Sequence, residues 1–135
     1  ICFFGLDRSL TCALTACQAF AGVMWKCHCA IDMHTQRAQA DSLTCDDAAV
    51  FFSHSGRDAN LLAMARAARQ AAAFSLAITC GGGSPLTELC DVSICCGCGL
   101  NPAAPASLDR LTGHSSFAFV TEVLCTACAE RAKAL

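Results

Sequence analysis

The stretch that decides the fold reads Ser53-His54-Ser55-Gly56-Arg57-Asp58, and it directly follows the apolar run Ala48-Ala49-Val50-Phe51-Phe52. Residues 60–72 come next and carry apolar side chains at helical spacing. Two serines and a glycine therefore stand where a buried strand passes into a helix, whose first N–H groups have no partner within the helix. Such a turn can hold an anion, above all phosphate. Taken alone, however, the stretch favours a simpler interpretation, a serine-capped helix start after a tight turn.

Length and composition restrict the class of protein. The chain has 135 residues, of which 55% are hydrophobic and 15% charged, and its formal net charge is −2. These values indicate one globular, rather apolar domain with a core of its own. We expect no nucleic-acid surface in these residues because they contain no basic run or stripe. We expect no membrane span because no stretch of 18 residues is apolar and uncharged throughout.

Thirteen cysteines are unusual for a chain of this length, and an odd number cannot pair fully within one chain. The densest groups are Cys95-Cys96-Gly97-Cys98 and Cys125-x-x-Cys128, but zinc sites usually combine two such groups at regular separation. Other cysteines occupy apolar positions, where a thiol packs as a small hydrophobic group. We therefore predict core packing in a reducing cytoplasm, with no metal and no other cofactor.

Strand-like and helix-like stretches alternate along the chain. The apolar runs that predict strands are residues 1–4, 23–31, 48–52, 74–79 and 92–96. Helical patterns cover residues 9–21, 32–40, 60–72, a short stretch opened by Ser84-Pro85, and 108–134 with a break near Gly113, while residues 101–107 are predicted to be a loop. This alternation predicts an α/β fold, a doubly wound, Rossmann-like (flavodoxin-like) sheet of about five parallel strands with helices on both faces.

Three polar loops follow predicted strands, at residues 5–9, 53–58 and 81–84. The carboxyl ends of parallel strands meet at one edge of a sheet, and ligands of such sheets bind there. The sequence therefore predicts one ligand site built from these loops. Because the chain opens directly with a predicted strand, we also expect it to be part of a longer protein.

Four motifs follow one another along the chain: Phe4-Gly5-Leu6-Asp7-Arg8-Ser9; Asp32-Met33-His34-Thr35-Gln36; Ser53-His54-Ser55-Gly56-Arg57; and Ile78-Thr79 with Ser84-Pro85-Leu86 and Cys90-Asp91. In this order they resemble the F-G-x-G-x-S, D-x-H-x-Q, S-x-S-G and I-T…S-P-L…A-D segments of the SIS (sugar isomerase) domain, a phosphosugar-binding module. The chain is most similar to the version at the C-terminal end of RpiR-type bacterial transcription regulators. The resemblance implies a single SIS domain over residues 1–135 and a helix-turn-helix domain before it.

The resemblance also implies which residues bind a phosphorylated sugar. Ser53 and Ser55 are the leading phosphate ligands, with loop capping as their alternative role. Ser9 is the next candidate. Gly5 and Gly56 belong to the same loops, and Gly56 serves the backbone geometry whether or not a ligand binds.

Two further candidates have favoured alternatives. Ser84 could contact the sugar, but the N-cap of the helix that Pro85 opens is the better interpretation. His34 could reach a neighbouring pocket across a dimer, although an exposed loop histidine is favoured. His54 stands between the two serines, so its side chain is predicted to point away from theirs, and no role is assigned to it.

Two acidic residues depart from the family pattern. Asp7 stands where the family usually has a second loop glycine, and Asp58 where it usually has Thr or Ser. Each carboxylate would lie near the anion site, where it weakens phosphate binding unless Arg8 or Arg57 offsets its charge. Asp58 could alternatively cap the following helix.

Three functions follow from the resemblance. The first is a sensor that binds a sugar phosphate and acts on DNA only through an attached N-terminal domain. The second is a sugar-phosphate aldose–ketose isomerase, which needs a base such as Glu122, His34 or His114. The third is a degenerate domain that only dimerises. The apolar side chains of the last helix, Phe117, Val120, Leu124 and Cys128, fit a homodimer, or equally burial against the chain's own sheet.

Overall fold

A computed structural model describes residues 1–23, 26–97 and 106–134. The predicted strand at 23–31 and the predicted loop at 101–107 extend into residues outside these ranges, and Cys98 lies outside them. None of the helices in the described ranges is both long and apolar enough to cross a membrane.

Four parallel strands form one sheet in the order β1-β2-β3-β4. The strands are β1 (Cys2–Gly5), β2 (Ala48–Ser53), β3 (Phe74–Thr79) and β4 (Val92–Cys95). The helices are α1 (Arg8–Ala21), α2 (Met33–Asp41), α3 (Ala59–Gln70), α4 (Pro85–Leu89) and α5 (Ala106–Lys133). The predicted α/β fold with a parallel, doubly wound sheet is confirmed.

The predicted second strand is reduced in the described residues to one bridge. His28 pairs with Cys2 in parallel, through hydrogen bonds from Phe3 N to His28 O (2.8 Å) and from His28 N to Ile1 O (3.0 Å). The described sheet therefore has four strands rather than five. The bridge lies on the edge of β1 that faces away from β2, which is the place that a flavodoxin-like strand order gives to the second strand.

The side chains of β1, β2 and β3 alternate between two apolar cores, one on each face of the sheet. Phe4 and Phe51 stack with ring centroids 4.9 Å apart and join the core that α2, α3 and α4 cover. Phe3 and Phe52 point to the opposite core, covered by α1 and α5. A period of two along a continuously apolar strand explains how β2 is buried on both faces.

The long helix α5 passes through Gly113 without the break that the sequence predicts. Glycine in a helix interior costs about 1 kcal/mol relative to alanine. Its presence is explained by packing, because a Cβ at Gly113 would lie 2.7 Å from His54 Nε2 and 3.2 Å from Cys80 Sγ. Gly113 thus allows α5 to approach the loop that follows β2.

A buried glutamine fixes the end of β1. Gln36 of α2 is fully buried; its Oε1 accepts a hydrogen bond from Gly5 N (3.2 Å), and its Nε2 donates to Gly5 O and Ala30 O (2.9 Å each). Asp32, at the N-cap of α2, accepts a hydrogen bond from Thr35 N at 2.9 Å. The D-x-H-x-Q motif therefore places α2 and holds Gly5.

We expect Gln36→Leu to lower the free energy of unfolding by about 2–3 kcal/mol, because it leaves buried backbone groups of Gly5 without partners. Urea denaturation followed by circular dichroism measures the change. Gln39→Leu is the matched control: it lies on the same helix, and its Oε1 is buried without a hydrogen bond. A loss in Gln39→Leu equal to that in Gln36→Leu would contradict the assignment.

Candidate functional site

A cavity of about 300 Å³ opens at the carboxyl ends of β1 and β2. Its walls come from the loop before α1, the loop between β2 and α3, and the first turn of α3. The lining residues are Leu6, Asp7, Arg8, Ser9, Phe52, Ser53, His54, Ser55, Asp58 and Leu61. Two of the three predicted loops thus meet at one site, as expected for a parallel sheet.

The loop after β2 is held by its own serines. Ser53 is buried, and its Oγ accepts a hydrogen bond from Gly56 N at 3.0 Å. Ser55 is exposed, and its Oγ accepts a longer bond from Arg57 N at 3.3 Å. Gly56 has a φ of +62°, which glycine adopts without strain. The exposed hydroxyl of Ser55 is therefore the one that a ligand reaches most directly.

Asp58 is the N-cap of α3. Its Oδ1 accepts hydrogen bonds from Asn60 N and Leu61 N, each at 2.9 Å. Two of the backbone donors that could have bound an anion at this helix start are thus already engaged by a carboxylate. The structure thus shows the capping role that the sequence left open for Asp58. The same carboxylate also lines the cavity.

The first loop carries backbone strain at Asp7. Its φ is +50° and its ψ −118°, a conformation suited to glycine, and its side chain makes no capping hydrogen bond. Gly5, just before it, needs to be glycine because a Cβ there would lie 2.5 Å from Ser9 O. The glycine that the family usually has in place of Asp7 therefore matches the local backbone.

Ser9 and His54 join the two loops. Ser9 is buried at the start of α1, and its Oγ lies 3.3 Å from His54 Nδ1. The ring of His54 meets that of His114 edge-on, with centroids 5.4 Å apart. Burial lowers the pKa of His54, and the nearby His114 and Arg8 lower it further. His54 is therefore a neutral group at the base of the cavity.

His114 also contacts a thiol on α1. Its Nδ1 lies 3.0 Å from Cys12 Sγ. Burial raises the pKa of the Cys12 thiol to about 11, so the sulfur keeps its proton at neutral pH. The pair is a packed contact between α1 and α5 and lacks the thiolate of a nucleophilic cysteine.

Ser84 lies beside the cavity wall and caps α4. Its Oγ accepts a hydrogen bond from Thr87 N at 3.4 Å as part of a capping box. A Cβ on Gly56 would overlap the Ser84 side chain, so the two residues pack against each other. Ser84 thus supports the loop after β2 from behind.

Two further candidates lie away from the cavity. His34 is exposed on α2, and Glu122 is exposed on α5. Neither is among the residues that line the cavity. The described residues therefore place neither of these two proposed isomerase bases at the site within one chain; the third, His114, contacts His54 but does not line the cavity.

His54 and Arg8 are site residues that sequence reasoning did not select. His54 stands between two serines in an extended loop, which suggested that its side chain points away from theirs. The neighbour that holds it, Ser9, comes 45 residues earlier, and no sequence pattern links the two.

The SIS domain model of protein families matches residues 1–107. The chain belongs to the SIS domain family. A comparison with curated proteins finds no match.

Solved structures share the SIS fold at low sequence identity. NanR of Vibrio vulnificus, complexed with ManNAc-6P, is 18% identical with a TM-score of 0.79, over 96% of this chain and 48% of that one. A Bacteroides fragilis protein, proposed as a phosphosugar isomerase involved in capsule formation, is 18% identical with a TM-score of 0.82, over 98% and 69%. A Methanococcus jannaschii protein, for which a function of 3-hexulose-6-phosphate isomerase was inferred, is 20% identical with a TM-score of 0.72, over 98% and 70%.

This SIS domain spans about half of NanR and about 70% of the other two proteins. The similarity establishes the fold of this chain and does not assign it the activity of any of these longer proteins.

We expect Asp7→Gly to raise the free energy of unfolding by about 1 kcal/mol, because glycine adopts the positive φ without strain and no capping bond is lost. Thermal and urea unfolding measure the gain. Ala72→Gly is the matched control, since Ala72 has a φ of +55° away from the cavity. An increase in the free energy of unfolding for Ala72→Gly but not for Asp7→Gly would contradict the assignment of backbone strain to Asp7.

Proposed function

We propose that the chain is the phosphosugar-binding sensor domain of an RpiR-type bacterial transcriptional regulator. The supporting observation is the convergence of Ser9, Ser53 and Ser55 on one cavity. Hydroxyls at a helix start, on a loop turned by a positive-φ glycine, have the chemistry of a phosphate site. The proposed ligands are Ser53, Ser55 and Ser9.

The roles of the other candidates differ. Gly5 allows the end of β1 to lie against the backbone of Ser9, and Gly56 allows its loop to turn and to pack against Ser84. Ser84 packs against Gly56 of the loop after β2 and would affect the sugar only through the position of that loop. His34 would contribute from a second chain.

The regulator is proposed to act on DNA through a separate N-terminal helix-turn-helix domain and to work in the cytoplasm. The comparisons include a protein bound to ManNAc-6P and one inferred to isomerise a hexulose phosphate, so sugar phosphates are the first ligands to test. The alternative, an aldose–ketose isomerase, finds less support because Glu122 and His34 lie outside the cavity. His114 contacts Cys12 rather than the cavity.

We further propose that two copies pair through α5. Phe117 is buried in the core that α1 and α5 cover, and Val120, Leu124 and Cys128 pack against this core while partly exposed. Phe119 and Val123 are 70% and 51% exposed on the same helix and offer an apolar patch. Such a patch is a common feature of protein interfaces.

Sugar-phosphate binding is tested first by thermal unfolding with a panel of sugar phosphates that includes ManNAc-6P and 3-hexulose-6-phosphate. A ligand at a hundredfold excess over its Kd stabilises the protein by about 2.7 kcal/mol. We expect Ser55→Ala to abolish the stabilisation, because it removes the exposed hydroxyl. Ser93→Ala, which removes an exposed serine of β4, should retain it.

No stabilisation by any member of the panel at millimolar concentration would favour the degenerate, dimerising domain. Conversion of a sugar phosphate that is lost in Glu122→Gln would favour the isomerase instead. Either result would overturn the proposal of a sensor domain.

We expect Asp58→Asn to tighten sugar-phosphate binding by about tenfold or more. The amide oxygen keeps the cap on Asn60 N and Leu61 N, while the negative charge beside the phosphate is removed. Isothermal titration calorimetry measures Kd for both proteins. Asp46→Asn, which removes one exposed negative charge outside the cavity, is the control. Equal tightening in both variants would show a general effect of net charge.

A further inference from the structure

Four residues pack against the His54 side chain. Its Nδ1 faces Ser9 Oγ at 3.3 Å, its ring packs on Phe117 with centroids 4.8 Å apart, and its edge meets His114. Gly113 of α5 lies against its Nε2–Cδ2 edge. These contacts hold the ring between α1 and α5, while part of it lines the cavity.

The two ring nitrogens have different surroundings. Nε2 is buried and has no hydrogen-bond partner among the described residues. A Cβ at Gly113 would lie 2.7 Å from Nε2 and 2.8 Å from Cδ2, so the Cα hydrogen in its place faces the Nε2–Cδ2 edge of the ring. A lone pair meets that hydrogen favourably, whereas an N–H there would be a buried donor with no acceptor among the described residues. These surroundings favour a neutral ring with its proton on Nδ1.

A proton on Nδ1 determines what Ser9 can do. The His54 Nδ1–H donates to Ser9 Oγ, so the hydroxyl hydrogen of Ser9 is not used by His54. Ser9 lines the cavity, and its hydrogen is then available to an acceptor placed there. The opposite tautomer would take the Ser9 hydrogen and present only lone pairs to the cavity.

We propose that His54, as the Nδ1–H tautomer held by Gly113, is a positioning residue that makes Ser9 a hydrogen-bond donor to an anionic oxygen of the ligand. The inference rests on the proposed sugar-phosphate site and adds a determinant of its specificity. A phosphate oxygen without a hydrogen satisfies this donor. A sugar hydroxyl does so less well, because its own hydrogen then needs a further acceptor.

The charged and titratable groups around His54 agree with a neutral ring. Arg8 of α1 and His114 of α5 both disfavour a second proton. Cys80 follows β3 and lies on the same side as Gly113. Cys12 of α1 reaches the ring only through His114.

The first test needs no ligand. Long-range ¹H–¹⁵N NMR correlations of the histidine side chains distinguish the tautomers in the wild-type protein. We expect the Nδ1–H form for His54. A proton on Nε2 would overturn the inference and leave the proposed function intact.

The second test measures binding of the sugar phosphate that gives the largest stabilisation. In His54→Asn, the shorter amide can still donate to Ser9 Oγ, so we expect Kd within about threefold of wild type. His54→Leu removes the donor and should weaken binding about tenfold, as should Ser9→Ala. The double variant should also lose about tenfold, because the two residues act as one unit.

Outcomes separate the two claims. A hundredfold loss in the double variant, or equal losses in His54→Asn and His54→Leu, would overturn the positioning role while binding itself stands. If the wild-type protein shows the Nδ1–H tautomer but binds no sugar phosphate, the proposed function fails, and the role of His54 in ligand recognition fails with it.

Discussion

The hydrogen bonds between Gln36 and Gly5 are the interaction on which the site depends. One fully buried amide satisfies the N–H and C=O of Gly5 and reaches Ala30 as well. This fixes the end of β1 where the chain turns into α1, and α1 in turn carries Ser9. Since Gly5 lies in contact with the backbone of Ser9, a small displacement at this point moves a wall of the cavity. The two loops can face each other only because that point is rigid.

The architecture could be predicted from the sequence because it depends on local patterns. The apolar run at 48–52 and the helical spacing after it are readable without any contact information, and both elements were confirmed. The strand predicted at 23–31 is reduced to one bridge at His28 in the described residues. That bridge depends on pairing with a distant partner, which a local pattern does not reveal. The break expected near Gly113 was wrong because its cause is a neighbour in space, His54.

The candidate site could also be predicted only where it depends on local motifs. Ser9, Ser53 and Ser55 were found from motifs and do line one cavity. The contacts of His54 were not predicted, because its partners Ser9 and His114 lie 45 residues before it and 60 residues beyond it. Ser84 illustrates the converse: its N-cap role follows from the adjacent Pro85, and the structure shows that role. Local chemistry can be read from sequence, whereas side-chain partners across elements require the fold.

The Asp58 cap bears on the range of metabolite concentrations at which such a receptor would respond. The Asp58 carboxylate already accepts hydrogen bonds from Asn60 N and Leu61 N, so these two donors of the helix start are not available to a ligand. Each unit of negative charge near the ligand lowers its affinity and raises the concentration needed for half-saturation. In the proposed sensor, the Asp58 charge would shift half-saturation toward higher metabolite concentrations. The residue that sets this threshold would then also be the N-cap of α3.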